Sequence, residues 1–277
     1  MDPISSLNTK EKHLQELIQS LGSVMIAYSG GVDSSLLAYY GRKILGSNAT
    51  IVIAVSPSLA INELSFAREQ GKQFGWNVLE IVTDEVEKPE YQRNDAMRCY
   101  FCKSTLFEIM QKLAIEHNVK HLAYGANIDD LSDFRPGHLA ADQYKVLSPL
   151  QAAGLVKEEI RQLAKSAGLP SWNRPQAACL SSRFPTHQPI STPELSQVDK
   201  AESYLRNQGF KQVRVRHYNQ IARIEVDPED MSLLLDQKLF NVIEKEFKRL
   251  GYAEVTVDPN GYRQGSANQT IPNHMIS

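Results

Sequence analysis

Val24–Ser34 reads VMIAYSGGVDS, and the order of its residues decides the fold. Val24 to Tyr28 is an apolar run of strand length. Ser29-Gly30-Gly31-Val32-Asp33-Ser34 follows, and the next residues, SSLLAYYGRKIL, have the composition of a helix. The stretch predicts a strand, a glycine turn and a helix. Two glycines let the backbone approach a ligand with no Cβ in the way. A helix start presents N–H groups without intrahelical partners and the positive end of its dipole. Ser29 and Ser34 add hydroxyls. The expected product is a cradle for phosphate or pyrophosphate, formed by Ser29, Gly30, Gly31, Asp33 and Ser34. It matches neither GxxxxGK[ST] nor GxGxxG.

Working outward, further apolar runs lie at Thr50–Val55, Val78–Thr83 and His121–Tyr124. Helical patterns cover Glu11–Leu21, Asn62–Phe74, Lys103–His117 and Lys157–Ala167. Strands that are apolar throughout and alternate with helices predict an α/β fold, a doubly wound parallel sheet. Ligands of such sheets sit beyond the carboxyl ends of the strands. Ser29–Ser34, Ser56 and Gly125–Asn127 therefore share one rim. Asp84 to Asp95 is polar, holds a proline and reads as a surface loop.

The pattern changes near Pro170. Five prolines fall between Pro170 and Pro193, a composition that reads as a linker. Thr192-Pro193-Glu194 is a helix start, and Gly209 closes that helix. VRVRHY and IARIEV then alternate across Asn219-Gln220 as a hairpin. Helical segments are expected over Pro228–Leu250, and AEVTVD is a last strand. The expected division is a first domain over 1–170, and a joining loop with a smaller α+β substrate or oligomerisation domain over 171–277. The last dozen residues are polar.

The chain has 277 residues, a net charge of -2 and three cysteines, and these bound its class. The charge gives no reason to expect a nucleic-acid partner. No apolar run approaches membrane-spanning length, and no signal-peptide pattern opens the chain, so cytoplasmic is the expected location. An odd cysteine count speaks against a disulfide framework. Cys99 and Cys102 form RCYFCK, and CxxC puts two soft ligands within reach of one metal or cluster. Arg98 and Lys103 flank the pair and favour thiolate. Cys179 lies in AACLSSRFP. If the three thiols converge, they form a three-ligand site with one open iron on a [4Fe–4S] cluster. A zinc site would need a fourth ligand such as His187 or His138. Three unrelated thiols are the plain alternative. Arg183, just after Cys179, suits phosphate or carboxylate.

The SGGVDS string resembles the PP-loop of the ATP pyrophosphatases. YSGGVDSSLL, RCYFCK, YGANIDDLSDFRPG, CLSSRFP and VRVRHYNQIARIE together resemble the LarE family. These are ATP-dependent sulfur-inserting enzymes of nickel-pincer cofactor synthesis. The resemblance implies an enzyme that adenylates a carboxylate of a nicotinate-derived pyridinium mononucleotide. Sulfur then replaces AMP to give a thiocarboxylate. It implies that Ser29, Gly30, Gly31, Asp33 and Ser34 hold pyrophosphate, that Ser56 and Gly125 flank the adenosine, and that Asp33 helps place Mg²⁺. It further implies that Arg214, Arg216 and Arg263 bind the phosphate of the substrate. Glu202 resembles an active-site acid, although by its residues alone it reads as a solvated helix carboxylate. Arg214 and Arg216, on one face of a strand, likewise suit a solvated face. Family members with one cysteine surrender its sulfur and keep dehydroalanine, whereas those with the added CxxC hold an iron–sulfur cluster. Cys99, Cys102 and Cys179 place this sequence with the second kind. A homo-oligomer, even a hexamer, is a further implication. Rival readings are a tRNA thiolase, which needs a basic or zinc-finger surface, an ammonia-using synthetase and a non-catalytic nucleotide sensor.

Overall fold

The computed structural model describes residues 3–132 and 136–263. Residues 133–135 of the YGANIDDLSDFRPG stretch and the polar last dozen lie outside the described residues. In chain order the elements are α1 (Pro3–Leu21), β1 (Val24–Ala27), α2 (Val32–Leu45), β2 (Ala49–Val55), α3 (Ile61–Gln73), β3 (Val78–Val82), α4 (Pro89–Gln92), α5 (Arg98–Glu116) and β4 (His121–Tyr124). Then follow α6 (Pro136–Gln143), α7 (Pro149–Ala152), α8 (Lys157–Ser166), α9 (Thr192–Asn207), β5 (Val213–Tyr218), β6 (Ile221–Val226), α10 (Met231–Leu234), α11 (Gln237–Arg249) and β7 (Glu254–Val257). Among the described residues, no helix is long and apolar enough to cross a membrane.

The chain forms two compact units. The first comprises Met1–Glu85 and Met97–Ala177, the second Val86–Ala96 and the chain from Ala178 onward. The first carries a parallel sheet in the order β3-β2-β1-β4. Both faces of that sheet are covered, as the apolar strands require. Val24 and Ile26 of β1 and Ile51 and Ile53 of β2 pack with α1, α2 and α8. Their neighbours Met25, Ala27 and Val52 point the other way and pack with Leu106, Phe107 and Met110 of α5 and Ala140 of α6. Alternation along the central strands sends successive residues into different cores, so β1 is apolar throughout and β2 nearly so, whereas β3 at the sheet edge carries Glu80. This is the doubly wound α/β fold of the PP-loop enzymes.

The second unit is built on a separate mixed sheet, β5-β6-β7. β5 and β6 form the expected antiparallel hairpin, and β7 joins β6 in parallel. Val213, Val215, Ala222 and Ile224 pack against Ala201 and Leu205 of α9 and Ile243 and Phe247 of α11. One local expectation gains detail and one changes. The Pro228–Leu250 helical stretch breaks at Leu235-Asp236, because the Asp236 carboxylate caps the N–H groups of Lys238 and Leu239 and starts α11 anew. The α9 cap is Ser191, not Thr192, through a reciprocal pair with Glu194.

The stretch Asp84 to Asp95 is not a surface loop. Val86, Tyr91 and Asn94 are buried. The Asn94 side chain donates to Pro185 O at 2.8 Å and Gln188 O at 3.0 Å. Ile190 N–H donates to Gln92 O, and His187 N–H to Asn94 O. Tyr91 Oη pairs with Ser181 Oγ. Val86, Tyr91 and Asn94 turn inward while residues such as Glu87 and Glu90 stay exposed, and the Asn94 amide supplies the donors that two carbonyls of the 185–190 stretch need.

Candidate functional site

In the first unit the stretch expected to cradle phosphate has the backbone that a glycine turn requires. Gly30 has φ +78, a left-handed value that a Cβ would strain. That Cβ would also meet Ala67 Cβ at 3.1 Å. Gly31 is the N-cap of α2 and offers no side-chain cap, which leaves the first-turn N–H groups for a ligand. The loop is tied across by its serines. Ser34 Oγ accepts from Ser29 N–H at 3.1 Å, lies 3.1 Å from Ser29 Oγ and donates to Gly31 O.

Asp33 sits in the first turn of α2, and both of its oxygens are engaged. Asn127 Nδ2 donates to Oδ1 at 3.0 Å, and Lys157 Nζ forms an ion pair with Oδ2. Lys157 is the first residue of α8, and its N–H donates to Asp129 Oδ2 at 2.7 Å. Asn127 Oδ1 in turn accepts from Asp129 N–H. One network thus joins the phosphate loop, the residues after β4 and the start of α8. The rim expected from the sheet rule contains Asn127, but Lys157 is a residue that sequence reasoning missed. A signal exists: a lysine in the first turn of a helix stands against the helix dipole and needs an anion.

Gly125 lies on the same rim, against the loop. Ser56 Oγ is 2.7 Å from Ser58 Oγ and accepts from Ser58 N–H, which orders the turn after β2. Asp33 is the one carboxylate of the SGGVDS string, so it suits a Mg²⁺ shared with phosphates. Its two oxygens are held by Asn127 and Lys157, the partners that a metal would have to replace.

In the second unit, Arg183, Glu202, Arg214 and Arg216 belong to one buried cluster. Glu202 is 0% exposed. Arg183 grips it with two bonds, Nε to Oε1 at 2.8 Å and Nη2 to Oε2 at 3.0 Å. Arg206 Nη2 donates to Oε2, and Val215 N–H on the open edge of β5 donates to Oε1. Burial pushes the Glu202 carboxyl up, but Arg183, Arg214 and Arg206 outweigh it and hold it at about 2. The solvated-carboxylate expectation for Glu202 is corrected: it is the buried anion around which the unit's arginines gather.

Arg214 and Arg216 are buried too, not solvated. Arg216 donates to Ser182 O at 2.9 Å and to Glu225 Oε2 at 2.9 Å. Arg214 donates to Val213 O and lies over the Tyr262 ring. Burial lowers the Arg214 pKa, and the neighbouring Arg183 lowers it further. Four guanidiniums, Arg183, Arg206, Arg214 and Arg216, meet two carboxylates, Glu202 and Glu225. The excess of positive charge suits a dianionic phosphate. Arg263 is more exposed and donates to Asp258 Oδ2 at 3.4 Å.

Cys179 is exposed and precedes the turn Leu180–Arg183. Arg183 Nη1 donates to the carbonyls of Ala178 and Cys179 at 2.8 and 3.0 Å and so fixes the backbone there. Cys99 and Cys102 fall inside α5, which starts at Arg98 rather than Lys103. They are one turn apart on the same side of that helix. Cys99 is exposed and Cys102 half-buried. Two thiols at this spacing suit two positions of a cluster or zinc site. Among the described residues, however, no three His, Cys, Asp or Glu side chains are gathered as a metal site. Cys99 and Cys102 belong to the first unit and Cys179 to the second.

No family model matches the chain. Curated proteins do. An uncharacterized protein of Synechocystis is 40% identical over 265 residues, 96% of this chain and 99% of its own. The pyridinium-3,5-bisthiocarboxylic acid mononucleotide synthase of Lactiplantibacillus plantarum is 33% identical over 270 residues, 97% of each chain. A GMP synthase of Thermosipho africanus is 25% identical over 187 residues, 58% of this chain and 36% of its own. The likeness to the synthase spans both units, whereas that to the GMP synthase covers little more than half the chain. With the SGGVDS cradle on a parallel sheet and a second unit rich in buried arginine, the chain belongs to the LarE family, that of the pyridinium-3,5-bisthiocarboxylic acid mononucleotide synthase.

Proposed function

We propose that this protein activates a carboxylate of a pyridinium mononucleotide with ATP and exchanges the activated oxygen for sulfur. The serine-tied SGGVDS loop with its open helix start carries the reading. The carboxylate oxygen attacks the α-phosphorus of ATP, and the bond to the β-phosphate oxygen breaks. Pyrophosphate leaves onto Ser29, Gly30, Gly31 and Ser34, with Ser56 and Gly125 flanking the adenosine. Asp33 would hold Mg²⁺, and the ion would offset charge on the leaving group. The phosphate of the substrate rests on Arg214, Arg216 and Arg263.

The acyl adenylate is a good electrophile, and a thiolate is a strong nucleophile at neutral pH. Of the two sulfur donors the sequence offers, a three-cysteine cluster or Cys179 itself, the second gives a step that this chain's own atoms balance: Cys179 Sγ attacks the acyl carbon and AMP leaves, giving a thioester. Loss of the Cys179 Cα proton to a base then breaks the Cβ–Sγ bond. The electron pair stays with sulfur, so a thiocarboxylate departs and dehydroalanine remains. Arg183 and Glu202 act as positioning residues, because Arg183 holds the carbonyls of residues 178 and 179 while Glu202 anchors its guanidinium.

The test is incubation with ATP, Mg²⁺ and a pyridinium dicarboxylate mononucleotide. Pyrophosphate release and the intact protein mass are followed for wild type and Cys179→Ala. Pyrophosphate from both, with conversion of Cys179 to dehydroalanine only in wild type, supports the scheme. No substrate-dependent pyrophosphate overturns it. More than one thiocarboxylate per chain with Cys179 unchanged would place the sulfur source at Cys99 and Cys102 or an external sulfide.

A further inference from the structure

Beside the expected adenosine rim lies a carboxylate that the reaction above does not use. Glu85 follows β3 and is 2% exposed. Its Oε1 accepts from Ser58 Oγ at 3.3 Å. Its Oε2 is buried with no hydrogen-bond partner among the described residues. Ser58 is itself buried and is locked to Ser56 through both its N–H and its hydroxyl. The two turns are joined at the sheet, where Thr83 N–H donates to Val55 O. Glu85, Ser58 and Ser56 therefore stand together at the carboxyl end of the β2-β3 pair, beside the strand that carries the phosphate loop.

A carboxylate accepts hydrogen bonds and donates none. Leaving one of its oxygens buried and unpaired costs more than the bond itself would gain. The site is complete only when a donor arrives. On the reading that Ser29–Ser34 holds the phosphates of ATP, the group that reaches the neighbouring strand end is the nucleoside. We infer that Glu85, braced by Ser58, accepts a hydrogen bond from the nucleoside of ATP and so selects the nucleotide. The donor is the exocyclic amine of adenine or a ribose hydroxyl; both present the same N–H or O–H chemistry to Oε2. An acceptor-only group also rejects nucleotides that bring a second acceptor. Inosine, with a carbonyl where adenine has an amine, would face oxygen with oxygen.

The test compares kcat/KM for pyrophosphate release with ATP, ITP, 2′-deoxyATP and 3′-deoxyATP, in wild type, Glu85→Gln and Ser58→Ala. Wild type is expected to favour ATP by about tenfold or more over ITP if the amine is the donor, or over one deoxynucleotide if a hydroxyl is. Glu85→Gln, whose amide both donates and accepts, should compress that one ratio by about fivefold and leave the others. Ser58→Ala should move it in the same direction by less. Equal ratios in wild type and Glu85→Gln, or a wild type that does not discriminate, overturn the inference. If Glu85→Gln does not fold, Glu85→Asp, which withdraws the charge by one methylene, carries the same comparison. A wild type that releases no pyrophosphate from any nucleotide would instead refute the ATP reading on which this rests.

Discussion

Gly125 lies so close to the first turn of α2 that a Cβ on it would stand 2.6 Å from Ser34 N and 2.9 Å from the carbonyl carbon of Asp33. Both contacts are backbone, so neither can swing away. The end of β4 is thereby pressed against the exit of the phosphate loop, and only glycine permits it. Gly125→Ala must push the loop or the strand aside, at a cost of about 1–3 kcal/mol. The loss should fall on ATP binding first. Titration with ATP should show affinity reduced by about tenfold or more while the far-ultraviolet spectrum stays native. Unchanged affinity would mean the loop does not depend on this contact.

Lys157 and Asp33 form the second contact that defines the loop. Lys157 is a third exposed, so the pair adds about 1 kcal/mol or less to stability. Its value lies in where it holds the carboxylate. Lys157→Met should leave the thermal midpoint within a few degrees and lower the Mg²⁺ concentration at which pyrophosphate release is half-maximal. Added Mg²⁺ should bind the variant more tightly, since Asp33 no longer has to exchange a cation for the metal. A variant with wild-type Mg²⁺ dependence would remove Lys157 from the site.

The parallel sheet and its loop were legible because β1 and β2 are buried on both faces and had to be apolar. Lys157 was not, because it reaches Asp33 across more than a hundred residues of chain. Glu202 was misread for a general reason: a lone helix carboxylate is usually solvated. Yet Leu195, Val198, Ala201 and Leu205 define the buried stripe of α9, and position 202 falls on that stripe. A carboxylate in such a stripe requires cationic partners, and Arg183, Arg206, Arg214 and Arg216 are near it in sequence. The burial of Val86, Tyr91 and Asn94 left no such trace. It depends on carbonyls some ninety residues away that have no side-chain signature.

Asn94 supplies the next prediction. Its amide serves two partly buried carbonyls, and its own backbone has φ 51, which asparagine tolerates better than most residues. Asn94→Ala removes both bonds and leaves acceptors behind, at a cost of about 2–4 kcal/mol. Asn94→Gly relieves the backbone but not the carbonyls, so it should be destabilised nearly as much. Denaturant midpoints would measure both. A glycine variant as stable as wild type would show that backbone conformation, not hydrogen bonding, holds the segment.

The pH dependence of stability should carry the mark of Glu202. Its carboxyl is held at about 2 in the folded chain against an ordinary 4.5. A depressed folded value means that the unfolded chain binds the proton first. The stabilisation is therefore complete above about pH 5 and is lost as pH falls from there toward 2. Glu202→Gln keeps the shape but leaves Arg183 buried without its counter-charge, at a cost of about 3–5 kcal/mol at neutral pH. The cost should shrink on acidification, because wild type loses the same charge. Urea melts of wild type and Glu202→Gln between pH 7 and pH 3 would compare the two curves. Converging curves would assign the acid sensitivity to this carboxylate; parallel curves would place it elsewhere.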